Sequence, residues 1–413
     1  MRSEVENLFD IFKNRGFVEQ VTDENLVREL FTTPATGYIG FDPTAKSLHL
    51  GSLVPIMSLA HMQRAGHRPI AVVGAGTTLV GDPSGKTEMR RIMSREEIDE
   101  NAECIKKQLS RFIDFSDGKA LMVNNADWLV KLNYVEFLRD IGRHFSVNRM
   151  LAAESYKARI KTGLSFIEFN YMLLQAYDFW YLFKHHDCRI QMGGNDQWGN
   201  ILAGADLTRR LEGEVIHALT FPLITTSSGI KMGKTHAGAV WLDPELTSPY
   251  EYYQYWINQE DKDIKRFLAI FTFLPMDEVA RLGSLEGADI RKAKEILAYE
   301  TTKLCHGEEE AEKARNASHQ LFGGDDGERP SSVPEFQLAK EALDSGIPAY
   351  VLFEMSGLCR TRSDARRLIS QGGGYLNNVK IRSFDQILDT NSIQNDIFIL
   401  RAGKKRYIKI ISS

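Results

Sequence analysis

Apolar and polar segments alternate through the first 225 residues in an order that predicts strands and helices in turn. Short apolar runs predict buried strands at 37–41, 68–73, 120–124, 188–192 and 216–225. Longer amphipathic segments predict helices at 4–15, 53–64, 95–112, 134–145 and 165–183, with one more ending near 211. This alternation predicts an α/β fold with a doubly wound, mainly parallel sheet, whose ligands bind at the carboxyl ends of the strands.

The second half of the chain is mainly helical and ends in a small mixed unit. Amphipathic segments predict helices at 250–258, 261–271, 277–281, 290–306 and 309–322. A Gly/Pro/Ser-rich stretch at 323–336 predicts a linker. The predicted domains are an α/β domain at 1–225, a lysine loop and α-helical domain at 226–322, a linker with lead-in helix at 323–349, and a small α+β domain at 350–413.

Charge is distributed unevenly between this last domain and the rest. The 413 residues carry a net charge of −4, whereas residues 350–413 hold 11 Lys and Arg against 5 Asp and Glu, a charge of +6. The rest therefore carries −10, which suggests a polyanionic partner for the C-terminal domain alone. A basic helix is predicted to begin at a Ser363 cap and end at Gly372. A solvated charged face is the alternative for its candidate binding residues, which are Arg360, Arg362, Arg366, Arg367, Lys404, Lys405 and Arg406.

The stretch Tyr38–Ser52 (YIGFDPTAKSLHLGS) predicts an anion site, because a strand runs through a loop into the start of a helix. The first amide groups of a helix have no partner within the helix and lie at the positive end of its dipole, which suits a phosphate. His49 adds a hydrogen-bond donor, and Gly51 would let a flat base or ribose approach the backbone. A turn with a surface histidine is the alternative interpretation.

Two further loops carry cations. The glycine-rich loop after the second strand contains Asp82, Lys86 and Arg90, and the segment TTSSGIKMGKT contains Lys231 and Lys234. The first loop suits an ammonium and phosphates. The second could be a solvated surface turn, but beside the His49 loop it is typical of a mobile lid that brings ammonium groups to a triphosphate.

One face of the helix at 165–183 is polar, since Tyr171, Gln175 and Asp178 follow one another at steps of four and three residues. Such groups need polar partners if they are buried, which favours a binding face over simple core packing.

The four cysteines are far apart and form no CxxC pair, which argues against a zinc site or a disulfide framework. The N-terminal segment lacks the apolar core of a signal peptide, and no segment approaches 18 uninterrupted apolar residues. We therefore expect a cytoplasmic protein that does not span a membrane.

Two loops resemble the signature motifs of one enzyme family. PTAKSLHLGS resembles the HIGH motif and KMGKT the KMSKS motif of class I aminoacyl-tRNA synthetases. YIGFDPTA, VGDPSGKT, FNYMLLQAYDF and QMGGNDQWGN resemble the bacterial-type tyrosyl-tRNA synthetases within that class. The C-terminal unit resembles an S4 RNA-binding domain. The resemblance covers nearly the whole chain and implies a Rossmann-like catalytic domain, which activates tyrosine with ATP and transfers it to tRNA(Tyr).

The resemblance also implies a role for each matching residue. Tyr38 and Asp178 would bond the substrate phenol, and Asp82, Tyr171 and Gln175 would hold its α-ammonium, helped by Gln191. ATP would meet Asp42, His49, Gly51, Asp196, Gln197 and Lys234. The catalytic set it implies is His49, Ser52, Lys86, Arg90, Lys231, Lys234 and Thr235. ATP is a substrate that brings Mg²⁺ on its phosphates, with no protein-bound metal expected, and a homodimer is implied.

One position departs from the family pattern, because Ser52 stands where the HIGH motif has its second histidine. A hydroxyl can donate one hydrogen bond to the nucleotide but lacks the charge of an imidazolium. Two alternatives therefore stay open. One is an enzyme for another aromatic amino acid or a related adenylyltransferase, and the other is an RNA-binding protein that keeps the fold without catalysis.

Overall fold

The computed structural model describes residues 6–84, 91–229, 231–235, 238–322, 334–377, 379–389, 393, 397–403 and 406–412. Within these ranges, side chains are not described at positions 154, 155, 157, 158, 234, 235, 320–322 and 397.

The helices of the described residues are α1 (Leu8–Arg15), α2 (Glu24–Leu30), α3 (Leu53–Arg64), α4 (Ala75–Thr78), α5 (Arg95–Leu109), α6 (Ala126–Leu129), α7 (Tyr134–Asp140), α8 (Val147–Ala152), α9 (Glu154–Thr162), α10 (Phe166–His186), α11 (Trp198–Glu212), α12 (Pro249–Ile257), α13 (Asp261–Phe271), α14 (Met276–Gly283), α15 (Ile290–His306), α16 (Glu308–Phe322), α17 (Lys340–Asp344), α18 (Ala349–Met355) and α19 (Arg362–Ser370). The strands are β1 (Gln20–Val21), β2 (Thr36–Phe41), β3 (Arg68–Val73), β4 (Leu121–Asn124), β5 (Cys188–Gly194), β6 (His217–Phe221), β7 (Lys234–Thr235), β8 (Gly238–Ala239), β9 (Glu335–Leu338), β10 (Ile347–Pro348), β11 (Gly374–Leu376), β12 (Val379–Lys380), β13 (Ile387–Leu388), β14 (Ile397–Ala402) and β15 (Arg406–Ser412).

The chain divides into two compact units, the first made of Met1–Leu246 and Gln259–Leu297 and the second of Thr247–Asn258 and Ala298–Ser413. A six-stranded sheet in the order β1-β6-β5-β2-β3-β4 forms the centre of the first unit. Its strands are parallel except β1, which runs antiparallel to β6. The predicted α/β class with a mainly parallel sheet is confirmed. The four predicted domain boundaries stay predictions.

The sheet is buried because helices cover it, as an apolar parallel sheet requires. Helices α10 and α11 pack on each other and on β5, and α3 packs on β3. One core cluster joins Tyr38 and Ile70 of the sheet to Phe179 and Leu182 of α10. Helix α10 begins with a capping box, in which Ser165 and Glu168 bond each other's backbone N–H. These contacts fix the helix that carries the predicted polar face.

The second unit contains a small sheet in the order β12-β11-β14-β15-β9. Strand β9 pairs in parallel with β15, so part of the segment predicted as linker and lead-in helix belongs to this sheet. Residues 323–333 of that segment lie outside the described residues. A buried cluster that includes Leu352, Phe353, Phe398 and Ile410 forms the local core.

The structure corrects several predicted boundaries. The strand predicted over 216–225 ends at Phe221, and the helix predicted over 95–112 ends at Leu109. Helix α19 is capped by Thr361, whose side chain accepts from the Asp364 N–H, so the predicted Ser363 cap is wrong. Ser363 already lies in the first turn. The helix predicted over 134–145 ends at Asp140 and a separate 3₁₀ turn occupies 142–144. Within the described part of the chain, no helix is both long enough and apolar enough to cross a membrane.

Candidate functional site

A cavity of about 410 Å³ opens at the carboxyl ends of β2 and β5, beside the first turn of α3 and one face of α10. This is the edge of a parallel sheet where ligands are expected. The structure brings together here most of the residues singled out from the sequence, namely Tyr38, Asp42, His49, Gly51, Ser52, Asp82, Tyr171, Gln175, Asp178, Gln191, Asp196 and Gln197.

Tyr38 and Asp178 form a buried polar wall of this cavity. Asp178 Oδ1 accepts from Trp128 Nε1 at 2.7 Å, and its Oδ2 accepts from Asn125 Nδ2 at 2.9 Å. Burial raises the pKa of Asp178 to about 7, although these two hydrogen bonds favour the ionised form. Among the described residues the Tyr38 hydroxyl and Gln191 Oε1 find no hydrogen-bond partner. Buried polar atoms seldom stay unpaired, so this wall suits a ligand that carries its own hydroxyl.

Tyr38 stays neutral in this setting. Burial and then the charge of Asp178 raise the pKa of the phenol well above its ordinary value of 10. The hydroxyl can therefore donate one hydrogen bond and accept another at any physiological pH.

Sequence reasoning missed Asn125 and Trp128, the two donors that hold Asp178. Asn125 directly follows β4 and Trp128 lies in α6, the short helix that comes next. Asn124 is the last residue of β4, and its side chain accepts from the Ala126 N–H at 3.0 Å. The position after β4 was therefore a usable signal.

Asp42 lies between two hydroxyl donors at the end of β2. Its Oδ2 accepts from the Tyr171 hydroxyl at 3.0 Å and its Oδ1 from the Thr77 hydroxyl at 2.9 Å. Burial, followed by the charge of Asp42, raises the pKa of Tyr171 well above its ordinary value. Tyr171 therefore acts here as a neutral donor that links α10 to the end of β2.

Asp82 is a second buried carboxylate on the cavity wall. It accepts from Gln197 Nε2 at 2.7 Å and from the Ser84 N–H at 2.9 Å. Burial raises the pKa of Asp82 despite these bonds. Asn200, which sequence reasoning also missed, donates to Gln175 Oε1 at 3.1 Å and to Gln197 Oε1 at 3.2 Å, and so ties α10 to α11. Carboxylates and amide oxygens gathered in this way suit a bound ammonium group.

His49 stands at the mouth of the cavity and is exposed. Its Nδ1 accepts from the Gly51 N–H at 2.9 Å, so the neutral ring carries its proton on Nε2. A Cβ at Gly51 would lie 2.7 Å from His49 Cε1, so any other residue would displace the imidazole from this position. A 3₁₀ turn, Leu50–Ser52, leads into α3, and Ser52 forms no side-chain cap there. The expected helix N-terminus thus lies at the cavity.

The loop that carries Lys231 and Lys234 lies against the Leu50–Ser52 turn through its backbone. Gly233 has φ +78, and a Cβ there would lie 2.9 Å from the Leu50 Cβ. Val240 closes the contact, because its N–H donates to the Gly233 carbonyl at 2.8 Å and its carbonyl accepts from the Leu50 N–H at 3.0 Å. Lys231 is exposed and pairs with Thr225 in an isolated bridge.

Several residues of the predicted catalytic and tRNA-binding sets have no described side chain. The backbone of Lys234 and Thr235 forms β7, but their side chains are not described. Lys86, Arg90, Lys404 and Lys405 lie outside the described residues.

In the second unit, the described arginines of the basic candidate set are exposed around α18 and α19. The Arg366 guanidinium lies 4.1 Å from the centre of the Tyr350 ring. Arg362 pairs with Glu354, and Arg367 with Asp364. Arg406 donates to the Leu358 carbonyl at 2.6 Å, two residues before Arg360. The arginines therefore share one part of this domain, although acidic neighbours partly neutralise them.

Known proteins resemble this chain over nearly all its length. The family of tRNA synthetases class I (W and Y) matches residues 31–323. A tyrosine–tRNA ligase of Syntrophus aciditrophicus (strain SB) is 59% identical over 98% of this chain and 99% of its own length. One from Desulfatibacillum aliphaticivorans is 55% identical over the same shares. The crystal structure of a C-terminally truncated mitochondrial tyrosyl-tRNA synthetase from Aspergillus nidulans superposes with a TM-score of 0.70 and 31% identity. It covers 77% of this chain and 94% of that one.

Proposed function

The chain belongs to the class I tRNA synthetases, as a bacterial-type tyrosine–tRNA ligase, and we propose that the cavity at the end of its sheet is where tyrosine is activated. The reaction has two steps. The tyrosine carboxylate attacks the α-phosphate of ATP and releases pyrophosphate, and the terminal ribose of tRNA(Tyr) then takes the tyrosyl group from the adenylate.

The proposal rests chiefly on the Tyr38–Asp178 wall. Asp178 would accept a hydrogen bond from the substrate phenol, and Tyr38 would complete the phenol's hydrogen bonding. Phenylalanine would leave the buried Tyr38 hydroxyl without a partner and bring no donor to Asp178, and this enzyme family is known to reject it by about 10⁵-fold on that principle. The names of the relatives favour tyrosine over tryptophan, the other amino acid of the family.

The α-ammonium of tyrosine would lie beside Asp82, Tyr171 and Gln175, with Gln191 nearby. Support comes from the buried carboxylate of Asp82 and from the hydrogen bonds that hold the neighbouring amides in place. When the ammonium and the phenol are both held, the carboxylate of tyrosine is fixed in position for attack on ATP. This orientation lowers the activation barrier of the reaction.

ATP would lie at the mouth of the cavity, with His49 and Gly51 on one side and Asp42, Asp196 and Gln197 on the other. Ser52 would donate a single hydrogen bond where the family has histidine. Lys86, Arg90, Lys231 and Lys234 would neutralise the leaving pyrophosphate, and Thr235 would complete the catalytic set. Mg²⁺ would arrive on the ATP phosphates as part of the substrate, and we propose no metal held by the protein.

Both nucleophile and leaving group come from the substrates, so the protein need supply no nucleophile of its own. Its contribution is position and compensation of charge in the transition state. The Gly233–Leu50 contact supports this, because it places the lysine loop next to the turn that would hold the nucleotide.

We further propose a cytoplasmic homodimer whose C-terminal arginines bind tRNA. Exposed apolar side chains concentrate between residues 130 and 167, which supports a subunit interface there. They include Val135, Val147, Ile160 and Phe166. The local charge of +6 supports contact between the C-terminal domain and tRNA phosphates.

Tyrosine-dependent exchange of pyrophosphate into ATP tests the proposal. The wild-type protein should catalyse exchange with tyrosine and not with tryptophan or phenylalanine, and Asp178→Ala should abolish it. A surface variant such as Glu103→Ala, with a side chain 65% exposed, is the control. Exchange by Asp178→Ala at the wild-type rate would show that the phenol lies elsewhere.

A further inference from the structure

We infer that Asp263 and Arg266, on helix α13, are positioning residues for the loop that carries Lys231. They act on adenylate formation through that lysine and have no contact with tyrosine. The inference rests on the role proposed above for Lys231 in the departure of pyrophosphate.

Residues 224–229 and 231–232 form two antiparallel sides of a short hairpin. The Met232 N–H donates to the Ile224 carbonyl at 3.0 Å, and Thr225 pairs with Lys231 in an antiparallel bridge. At the tip, the Gly229 N–H donates to the Thr226 carbonyl at 2.8 Å. The position of the Lys231 backbone therefore follows that of Thr225 on the opposite side of the hairpin.

An ion pair on α13 clamps that opposite side. Asp263 is only 3% exposed, and its Oδ2 accepts from the Ser227 N–H at 2.8 Å. Its Oδ1 accepts from the Arg266 guanidinium at 3.0 Å, and the same guanidinium nitrogen donates to the Thr225 carbonyl. One pair of side chains thus holds both a donor and an acceptor of the hairpin backbone. Charge-assisted hydrogen bonds of this kind are the strong ones.

Helix α13 is itself a fixed support. Beyond its carboxyl end, the buried Arg15 donates to the carbonyls of Thr272 and Leu274, at 3.0 and 2.6 Å. At its first turn, Lys294 forms an ion pair with Asp261. The clamp therefore joins the hairpin to a helix whose two ends are tied to other segments of the first unit.

Lys231 stands between two points of attachment. One is the clamp at Thr225 and Ser227, and the other is Gly233, which rests on Leu50. Releasing the first would let the ammonium group shift by an ångström or more while the tyrosine pocket stays intact. A displacement of that size costs about a hundredfold in rate when it affects a group that must meet the transition state.

Single-turnover formation of tyrosyl-adenylate by the full-length protein tests the inference. Arg266→Ala should lower the rate constant about tenfold to a hundredfold and leave the Kd for tyrosine unchanged. Arg266→Lys should recover part of the rate, because an ammonium can still pair with Asp263 and reach one acceptor. The control is Arg281→Ala, which breaks an exposed pair with Glu278 at the same spacing on α14 and should keep the wild-type rate.

Two further measurements separate positioning from general damage. The burst amplitude counts active sites, so a purely structural effect would lower the amplitude and leave the rate constant per site unchanged, and that result would overturn the inference. In the double variant of Arg266→Ala and Lys231→Ala the two losses should not add, since both act through one ammonium group. Additive losses, or a parallel rise in the Kd for tyrosine, would also overturn it. If Lys231→Ala itself reacts at the wild-type rate, the proposed role of the loop fails; if only Arg266→Ala does, the clamp alone fails.

Discussion

Replacing Trp128 by phenylalanine should change the pH at which the protein begins to bind tyrosine well. In the free protein the pKa of Asp178 is raised to about 7, chiefly by burial. Asn125 and Trp128 face its carboxylate with donors, and the substrate phenol would be a third. Binding therefore favours the ionised form, and the association constant for tyrosine should rise as the pH increases through about 7. The other charged group nearby, Asp42, opposes ionisation of Asp178.

The size of the effect follows from one hydrogen bond. A bond from a neutral donor to a carboxylate is worth about 1.5–3 kcal/mol. One pKa unit corresponds to 1.36 kcal/mol. Removal of the indole N–H should therefore raise the midpoint by about one to two pH units. The substrate phenol would form a bond of the same energy with the ionised Asp178. The affinity of the wild-type protein for tyrosine should therefore rise tenfold or more as Asp178 ionises.

Calorimetric titration with tyrosine from two pH units below the wild-type midpoint of about 7 to beyond the predicted variant midpoint gives both midpoints without relying on tryptophan fluorescence. His49→Gln is the control, since it removes an imidazole at the mouth of the cavity and leaves the donors to Asp178 in place, so its midpoint should match the wild type. Asp82 also has a raised pKa, yet Trp128 does not bond it, so only Asp178 can respond to the substitution. A wild-type affinity that is flat across this range, or an unmoved midpoint in Trp128→Phe, would refute the reasoning.

Three other substitutions or truncations test separate parts of the site. Lys234→Ala should lower the rate of adenylate formation by orders of magnitude with little change in the Kd for tyrosine, and an unaltered stopped-flow rate would contradict this. Gly233→Ala should slow the formation of adenylate about tenfold or more, because the added Cβ would clash with Leu50 and φ is +78. The control is Gly229→Ala, which has a similar φ but whose added Cβ would meet open space, so it separates the clash from backbone strain. Truncation after Phe322 should spare pyrophosphate exchange and impair charging of tRNA, measured by acid-precipitable tyrosine, and full charging by the shortened protein would show that the C-terminal domain is dispensable.

Most of the elements follow from local pattern. The predicted bounds of β3, α3, α13 and α15 agree with the structure. Strand β3 is a continuous apolar run, α3 is apolar along most of its length, and α13 and α15 are amphipathic, so local preference and tertiary packing favour the same conformation. Strand β1 was not predicted, because two residues carry no periodicity, and it exists only through its pairing with β6. Boundaries failed where neighbouring residues compete as caps, as at Thr361 and Ser363.

Much of the candidate site was also visible in the chain. Parallel strands place their carboxyl ends along one edge, so residues that directly follow β2 and β5 had to lie near one another. The polar face of α10 followed from helical spacing alone. The resemblance to a known family supplied the roles, and the cavity gathers the predicted residues whose side chains are described, apart from Lys231 and the C-terminal arginines.

The amino-acid order thus specifies the elements, the sheet edge and the chemical groups that meet there, because these depend on periodicity and on residues close in sequence. It does not specify the pKa values of those groups or the contacts that hold them in position. The pKa of Asp178 depends on its burial and on donors that precede it by about 50 residues. The clamp on the lysine hairpin joins residues 36 positions apart. Such contacts arise only when the whole first unit packs, since burial and hydrogen bonding between distant segments are properties of the folded chain.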